Sequence, residues 1–109
     1  MLFFSLIAIN GIVADKIAAY KRAIEKAKNT ANDSSNYFAE KGLLYSINNH
    51  YPQGQADMLM ALAITDKDQG RYEQAKIRAL IVIDLYRHMH NLKSIAALEN
   101  FVGSIEAAR

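Results

Sequence analysis

The chain has 109 residues, enough for one small domain with one hydrophobic core. Its formal net charge of +2 is too small to favour a nucleic-acid or acidic-membrane partner. The sequence contains no cysteine, which excludes disulfides, thiolate metal sites and a cysteine nucleophile. Helix-forming residues dominate and alternating β-branched runs are missing, so the sequence predicts an all-α protein.

The N-terminal segment, 1–14, allows two interpretations. It is apolar from Leu2 to Ile9 and ends in small residues near Ala14. One interpretation is a short buried helix that covers one end of the fold, and the other is a secretory signal-like segment. No basic residue precedes the apolar run, which disfavours a signal peptide. The run is also too short to span a bilayer. We therefore expect no membrane span and a cytoplasmic location, or a periplasmic one if 1–14 is a signal segment.

The next helix signal lies between Val13 and Lys28. Apolar residues recur there at steps of three and four, which places them on one face of a helix. The residues on that face are Val13, Ile17, Tyr20, Ile24 and Ala27.

A break at 29–35, "NTANDSS", separates this helix from the second. Its side chains hydrogen-bond their own backbone readily, and Ser34 or Ser35 can cap the helix that follows. That helix must end near His50, because Tyr51 precedes the single proline and is therefore disfavoured in helical geometry.

Three further helices are predicted at about 54–69, 72–89 and from 93 to the C-terminus. The connections are only a few residues long, so neighbouring helices form antiparallel hairpins. Gly70 lies between two of them, where a positive φ lets the chain reverse tightly. We predict that Ala75, one turn into the next helix, is buried against Ala63.

The chain also carries an internal repeat. "GQADMLM" at 54–60 and "SIAALEN" at 94–100 place side chains of similar size in register, for example Met58 with Leu98. A weaker echo relates 10–27 to 69–86. Two units with the same hairpin pattern indicate an α-solenoid.

The repeat pattern resembles that of the tetratricopeptide repeat family. The matching residues, in order, are Leu59, Leu62, Ala63, Gly70, Tyr72 and Ala75. Asn10-Gly11, Tyr20 and Ala23 match the later half of another unit, whereas Asp66 stands where the family usually has tyrosine. The best match covers 54–109 of a single helical-repeat domain, 1–109. The spacing from 54–60 to 94–100 is long for the family and resembles that of the repeats in bacterial sensor kinases and transcriptional regulators.

This resemblance implies a right-handed α-solenoid of five or six antiparallel helices. We expect the core to contain Tyr20, Phe38, Leu44, Leu59, Leu62, Ala63, Tyr72, Ala75, Val82 and Leu85.

The resemblance also implies a groove lined by the first helix of each hairpin. The candidate groove residues are Asp57, Met60, Ile64, Lys67 and Asp68 on one helix, and Ala97, Asn100 and Ser104 on the next. This mixed surface suits an amphipathic helix or an extended peptide. The expected function is a protein- or peptide-binding scaffold in a bacterial signalling or regulatory assembly. The alternative is a dimerising or sensory spacer within a larger sensor kinase or transcription regulator.

The last helix carries an apolar stripe with no following helix to cover it. Leu98, Phe101, Val102 and Ile105 form this candidate association surface. A solenoid helix normally packs on both sides, so the stripe predicts association, most simply as a homodimer.

No residue pattern predicts an enzyme. His50, His88 and His90 do not have the spacing of three or four converging metal ligands. No phosphate-binding loop, nucleophile elbow or calcium loop is present. We therefore expect no catalytic residues, cofactor or metal, and no nucleic-acid partner.

Overall fold

In a computed structural model, the described residues, 2–28 and 32–108, form five α-helices and no strand. The helices are α1 Leu2–Lys28, α2 Asn32–Asn48, α3 Pro52–Asp68, α4 Tyr72–His88 and α5 Leu92–Ala108. Side chains are described for residues 11–28 and 34–108. The all-α class predicted from the composition is confirmed.

The last four helices have equal lengths and equal spacing. Each spans 17 residues, and the interval from the start of one helix to the start of the next is the same throughout. Between α2 and α5 the connections are only three residues long, which makes the joined helices antiparallel. The bounds predicted for α3, α4 and α5 agree with the observed ones to within two residues.

These three connections share one backbone geometry. His50, Gly70 and His90 have positive φ values of 51°, 78° and 56°. The amide of Gly70 donates to the carbonyl three residues back at 3.0 Å, and the next amide donates to the carbonyl five residues back at 2.7 Å. This pair of hydrogen bonds defines a Schellman motif, and it recurs at both histidines. The positive φ predicted for Gly70 is confirmed, whereas the same conformation at the two histidines was not foreseen.

Each helix packs chiefly against its neighbours in sequence, and α1 also contacts α3. The molecule measures 53 × 33 × 18 Å. Its shortest dimension matches two layers of helices, each about 10 Å thick. One layer contains α1, α3 and α5, and the other contains α2 and α4. Contacts between sequence neighbours are typical of helical repeat proteins. The right-handed sense of the solenoid stays a prediction.

Helices α2 and α4 repeat one burial pattern. The buried pairs at equivalent positions are Ser35 and Ala75, Ala39 and Ala79, Gly42 and Val82, and Ser46 and Tyr86. Between 34–48 and 74–88 the burial class differs at one position only, where Leu43 is half-buried and Ile83 is buried. The small residues at the first two positions let each helix approach the preceding one closely. The structural repeat therefore includes α2, where the sequence match is loose.

Two glycines mark the closest approach of α1, α2 and α3. A Cβ atom at Gly54 would meet the Ser46 hydroxyl and would lie 3.0 Å from Ile17. A Cβ atom at Gly42 would meet the Met58 sulfur. A side chain at either position would require the neighbouring Ser46, Tyr51 or Met58 side chain to shift, so glycine suits this packing best.

Most of the predicted core is confirmed. Leu59, Leu62, Ala63, Ala75 and Val82 are buried, and Tyr20, Phe38, Tyr72 and Leu85 are half-buried.

The prediction for Leu44 was wrong, because its side chain is 60% exposed. Leu44 lies on the outer side of α2, away from the face that carries the buried Ala39 and Ser46. Apolar character alone did not reveal which face of this helix is covered.

Two predicted breaks differ from the structure. α1 continues through Asn10 and Gly11, which the repeat pattern placed at a turn. Burial of Val13 and Ile17 just beyond this point favours continuation of the helix despite the glycine. α2 begins at Asn32, so Ser34 and Ser35 lie inside the helix, where the small, buried Ser35 contributes to packing rather than capping. Burial of the side chains at 2–9, and the structure of 29–31, lie outside the described residues.

Candidate functional site

A groove runs between α1 and α3 on the layer formed by the odd-numbered helices. Three predicted groove residues, Asp57, Met60 and Ile64, line it from α3. Lys21 and Lys28 line it from α1. The cavity has a volume of about 210 Å³, and its floor is apolar with charged groups at the rim. The structure therefore brings these predicted residues together with a helix that the prediction did not include.

The rim of this groove is held by charged and polar contacts. Lys21 Nζ lies 3.2 Å from Asp57 Oδ2, and Gln53 Nε2 donates to Asp57 Oδ1 at 3.0 Å. The Asp57 side chain is only 19% exposed, whereas that of Lys21 is 55% exposed. The carboxylate is thus fixed by two helices and presents a defined position to a ligand, while the lysine remains accessible from solvent.

The same surface continues from α3 to α5. Lys67 Nζ lies 5.6 Å from the centre of the Phe101 ring, a cation–π distance. Ala97 and Asn100 are exposed on α5. Ser104 is half-buried, and its hydroxyl donates to the Phe101 carbonyl at 2.7 Å. Lys67, Ala97 and Asn100 therefore extend the accessible surface, whereas the Ser104 hydroxyl is already bonded within its own helix.

Asp68 lies apart from the groove. It borders a second cavity of about 330 Å³ with Lys28, Ser35 and Gln69, at the end of α3. The resemblance placed Asp68 in the groove with Ile64, but Asp68 borders this adjacent cavity, which shares Ile64 and Lys28 with the groove.

The predicted association surface is largely turned inward. Leu98 is 4% exposed and Ile105 is fully buried. Phe101 and Val102 are half-buried and pack against the core cluster that contains Leu98. The expectation of an uncovered apolar stripe was wrong, because α4 and the core beneath it cover the side of α5 that carries these residues.

A buried carboxylate joins α3 to α4. Asp66 is 1% exposed and forms ion pairs with Arg71, at 2.8 Å, and with Arg78. It occupies the position where the resembled family has tyrosine, so this pair of arginines satisfies a charge that would otherwise be costly to bury. Its burial between two helices assigns it a structural role.

The three histidines have structural positions. His50 and His90 occupy the positive-φ turns, and the His88 Nδ1 lies 2.8 Å from the carbonyl of Asp84 in its own helix. Among the described residues, no group of three or more histidine, aspartate or glutamate side chains could hold a metal ion.

The layer formed by α2 and α4 exposes further apolar side chains. On α4 these are Ile77, Leu80 and Ile81, each about half exposed. On α2, Tyr37 is exposed and accepts a hydrogen bond from Lys41, which raises the pKa of that lysine above its ordinary value.

The groove residues from α1 were missed because the sequence repeat was clear only after residue 54. A signal for them existed, since α1 carries the same helical period as α3.

Among the helices that the structure describes, none is both long and apolar enough to cross a membrane. No protein-family model, curated protein or solved structure matches the chain.

Proposed function

We propose that this protein is a helical-repeat scaffold whose groove binds a segment of another protein, either an amphipathic helix or an extended peptide. The observation that carries the proposal is the composition of the surface shared by α1, α3 and α5. Met60 and Ile64 form an apolar floor, Lys21 and Asp57 give its rim both signs of charge, and Lys67 extends the surface toward Phe101 on α5. Such a surface suits a ligand with an apolar anchor and mixed charges.

The apolar floor supplies the expected anchor. Met60 and Ile64 are half-buried in the free protein, so a ligand side chain can cover the part that remains exposed. Fully burying one such side chain contributes about 1.5–3 kcal/mol, and covering an exposed part contributes correspondingly less. Methionine is flexible and adapts to differently shaped ligands. Modest affinity and tolerance of related ligand sequences are expected.

The charged rim sets the orientation of the ligand. Lys21 is accessible, and the Asp57 carboxylate beside it already accepts a hydrogen bond from Gln53. A ligand acid near Lys21 would therefore be favoured over a ligand base at that end. A role in a bacterial signalling assembly follows from the resemblance to long-repeat sensor proteins and is part of the same proposal.

The experiment is a selection of displayed peptides on the whole chain, followed by titration of the enriched peptides. Ile64→Asp places a charge on the groove floor and is expected to weaken binding at least about tenfold, equivalent to about 1.4 kcal/mol.

The matched control is Ile77→Asp, which makes the same change at a 52% exposed isoleucine on α4, away from the groove. Peptides whose binding survives Ile64→Asp, or is lost equally with Ile77→Asp, would refute a groove site. Thermal melts of both variants establish that each remains folded.

A second candidate is a structural spacer within a larger signalling protein. It is favoured by one observation: among the described helices, α5 packs chiefly against α4 alone, whereas α3 packs against both α2 and α4. Self-association through Leu98, Phe101, Val102 and Ile105 receives no support from their positions. Sedimentation across a wide concentration range tests this candidate, which predicts concentration-dependent association without any peptide.

A further inference from the structure

The exposed side of α4 carries a continuous stripe of side chains. They follow one another at steps of four, three, four and three, the spacing of the contact seam between two paired helices. The five residues, all exposed, are Glu73, Ile77, Leu80, Asp84 and Arg87. We name them the α4 stripe. The buried residues of α4 lie on the opposite side of the helix and pack against α3 and α5, so the stripe faces away from the core.

The middle of the α4 stripe is apolar. Ile77 is 52% exposed, Leu80 is 48% exposed, and the adjacent Ile81 is 46% exposed. Helix α2 is the equivalent helix of the preceding hairpin. At the positions of Leu80 and Ile81 it has the charged residues Glu40 and Lys41, which are also exposed. This position in the repeat therefore does not call for aliphatic side chains, and their grouping on α4 marks an interaction surface.

The two ends of the α4 stripe carry opposite charges at equal distances from its centre. Glu73 lies seven residues before Leu80, and Arg87 lies seven residues after it. An antiparallel copy of the same helix would place each Glu73 opposite an Arg87, and the two Leu80 side chains would meet in the middle. A parallel copy would instead place like charges side by side. The charges of the stripe are therefore complementary to the stripe itself in the antiparallel arrangement.

We propose that the α4 stripe is the interface of a symmetric homodimer, in which α4 of one copy packs antiparallel on α4 of a second copy. The two-fold axis passes close to Leu80, since the apolar patch and the opposite charges share this centre. The stripe and the groove lie on different layers of helices, so the proposal does not depend on what the groove binds. It also gives the spacer candidate a surface for self-association.

The register of this pairing also provides for Asp84. Lys76 lies four residues before Leu80 and Asp84 four residues after it, so the two meet across the two-fold axis. Lys76 Nζ lies 2.7 Å from Glu106 Oε1, and the lysine side chain is 35% exposed. An ammonium group has three hydrogens to donate. Lys76 can therefore bond to Asp84 of the second copy while it still holds Glu106.

The expected dimer is weak and reversible. It joins one helix from each copy, and such a contact is smaller than the roughly 1,600 Å² of a standard stable interface. The apolar middle supplies most of the affinity, whereas the charged ends fix the direction and register of the two helices. The experiment must therefore reach high protein concentrations.

The test is sedimentation of the whole chain from about 1 µM to about 1 mM, a range that covers weak dimers. We expect a reversible monomer–dimer equilibrium. Ile81→Asp puts a charge beside the two-fold axis and should weaken dimerisation at least about tenfold. The matched control, Ile12→Asp, makes the same change at a 65% exposed isoleucine on α1 and should leave dimerisation unchanged. Circular dichroism establishes that each variant keeps its helices.

Two charge reversals test the register. Glu73→Arg and Arg87→Glu, each made alone, place like charges opposite one another and should weaken self-association at least about tenfold. An equimolar mixture of the two variants should dimerise again. In the mixture, one chain offers basic groups at both ends of the stripe and the other offers acidic groups at both ends. These side chains are exposed, so the test does not require a change in the core.

Three outcomes would overturn the proposal. One is a strict monomer over the whole concentration range. Another is dimerisation that survives Ile81→Asp, because a different surface would then be responsible. The third is a mixture of the two charge variants that associates no better than either variant alone, which would exclude the antiparallel pairing.

Discussion

Helices α3 and α5 are the same element of a repeat in two different surroundings. They have the same length, begin at Pro52 and Leu92, and follow the same type of turn. α3 packs against α2 and α4, whereas among the described helices α5 packs mainly against α4. Equivalent positions therefore differ in burial although their place in the repeat is the same. The comparison shows that the number of neighbouring helices, rather than position in the repeat, decides how much a residue contributes to stability.

The largest difference is expected at the paired carboxylates Asp66 and Glu106. Asp66→Ala leaves Arg71 and Arg78 without their buried partner, and we expect a loss of about 3 kcal/mol in the free energy of unfolding. Glu106 bonds to Lys76 at 2.7 Å, but its side chain is 44% exposed. Glu106→Ala should therefore cost less than about 1 kcal/mol. Urea denaturation measures both values. Equal losses would contradict the conclusion that burial, rather than position in the repeat, decides the loss of stability.

The next largest difference in stability between α3 and α5 is expected from overpacking. Ala63 is fully buried, so Ala63→Leu is expected to cost about 1–3 kcal/mol. Gly103→Leu makes the corresponding change in open space and should cause no loss. Thermal melts of the two variants test this contrast. A destabilised Gly103→Leu protein would show that this side of α5 is covered in solution.

Substitutions in the turns before and after α4 should have smaller effects on stability, of opposite sign. Gly70→Ala puts a side chain at a φ of 78°, and we expect a loss of about 1 kcal/mol. His90→Gly relieves the same strain at a φ of 56° and should gain a similar amount. Denaturant midpoints give both shifts. His90→Asn serves as the control, since asparagine tolerates this conformation at least as well as histidine.

The smallest effect concerns two glycines within helices. Gly103→Ala should raise stability by about 0.5–1 kcal/mol, because alanine has the higher helix propensity and nothing opposes its methyl group. Gly54→Ala should lower stability instead, since its Cβ atom would meet the Ser46 hydroxyl. If both substitutions stabilised the protein, α2 and α3 would not approach each other as closely at Gly54 as the structure shows.

The candidate site was only partly predictable from the sequence. The repeat pattern selected Asp57, Met60 and Ile64 because they share one side of α3. It could not supply Lys21 from α1, since its pairing with Asp57, far along the chain, depends on how the hairpins stack.

The sequence by itself determined the helices and most of their ends. Local signals are sufficient for this: the helical period of apolar side chains, the proline after Tyr51, and a glycine at a turn that needs positive φ. Only the tertiary structure decided which side of each helix is covered. Leu44 is exposed while Leu98 and Ile105 are buried, although all three are equally apolar in sequence. Burial depends on which helices are neighbours in space, and residues distant in the chain set that arrangement. The same holds for His50 and His90, whose positive φ values persist because packing of the flanking helices outweighs a local preference worth about 1–2 kcal/mol.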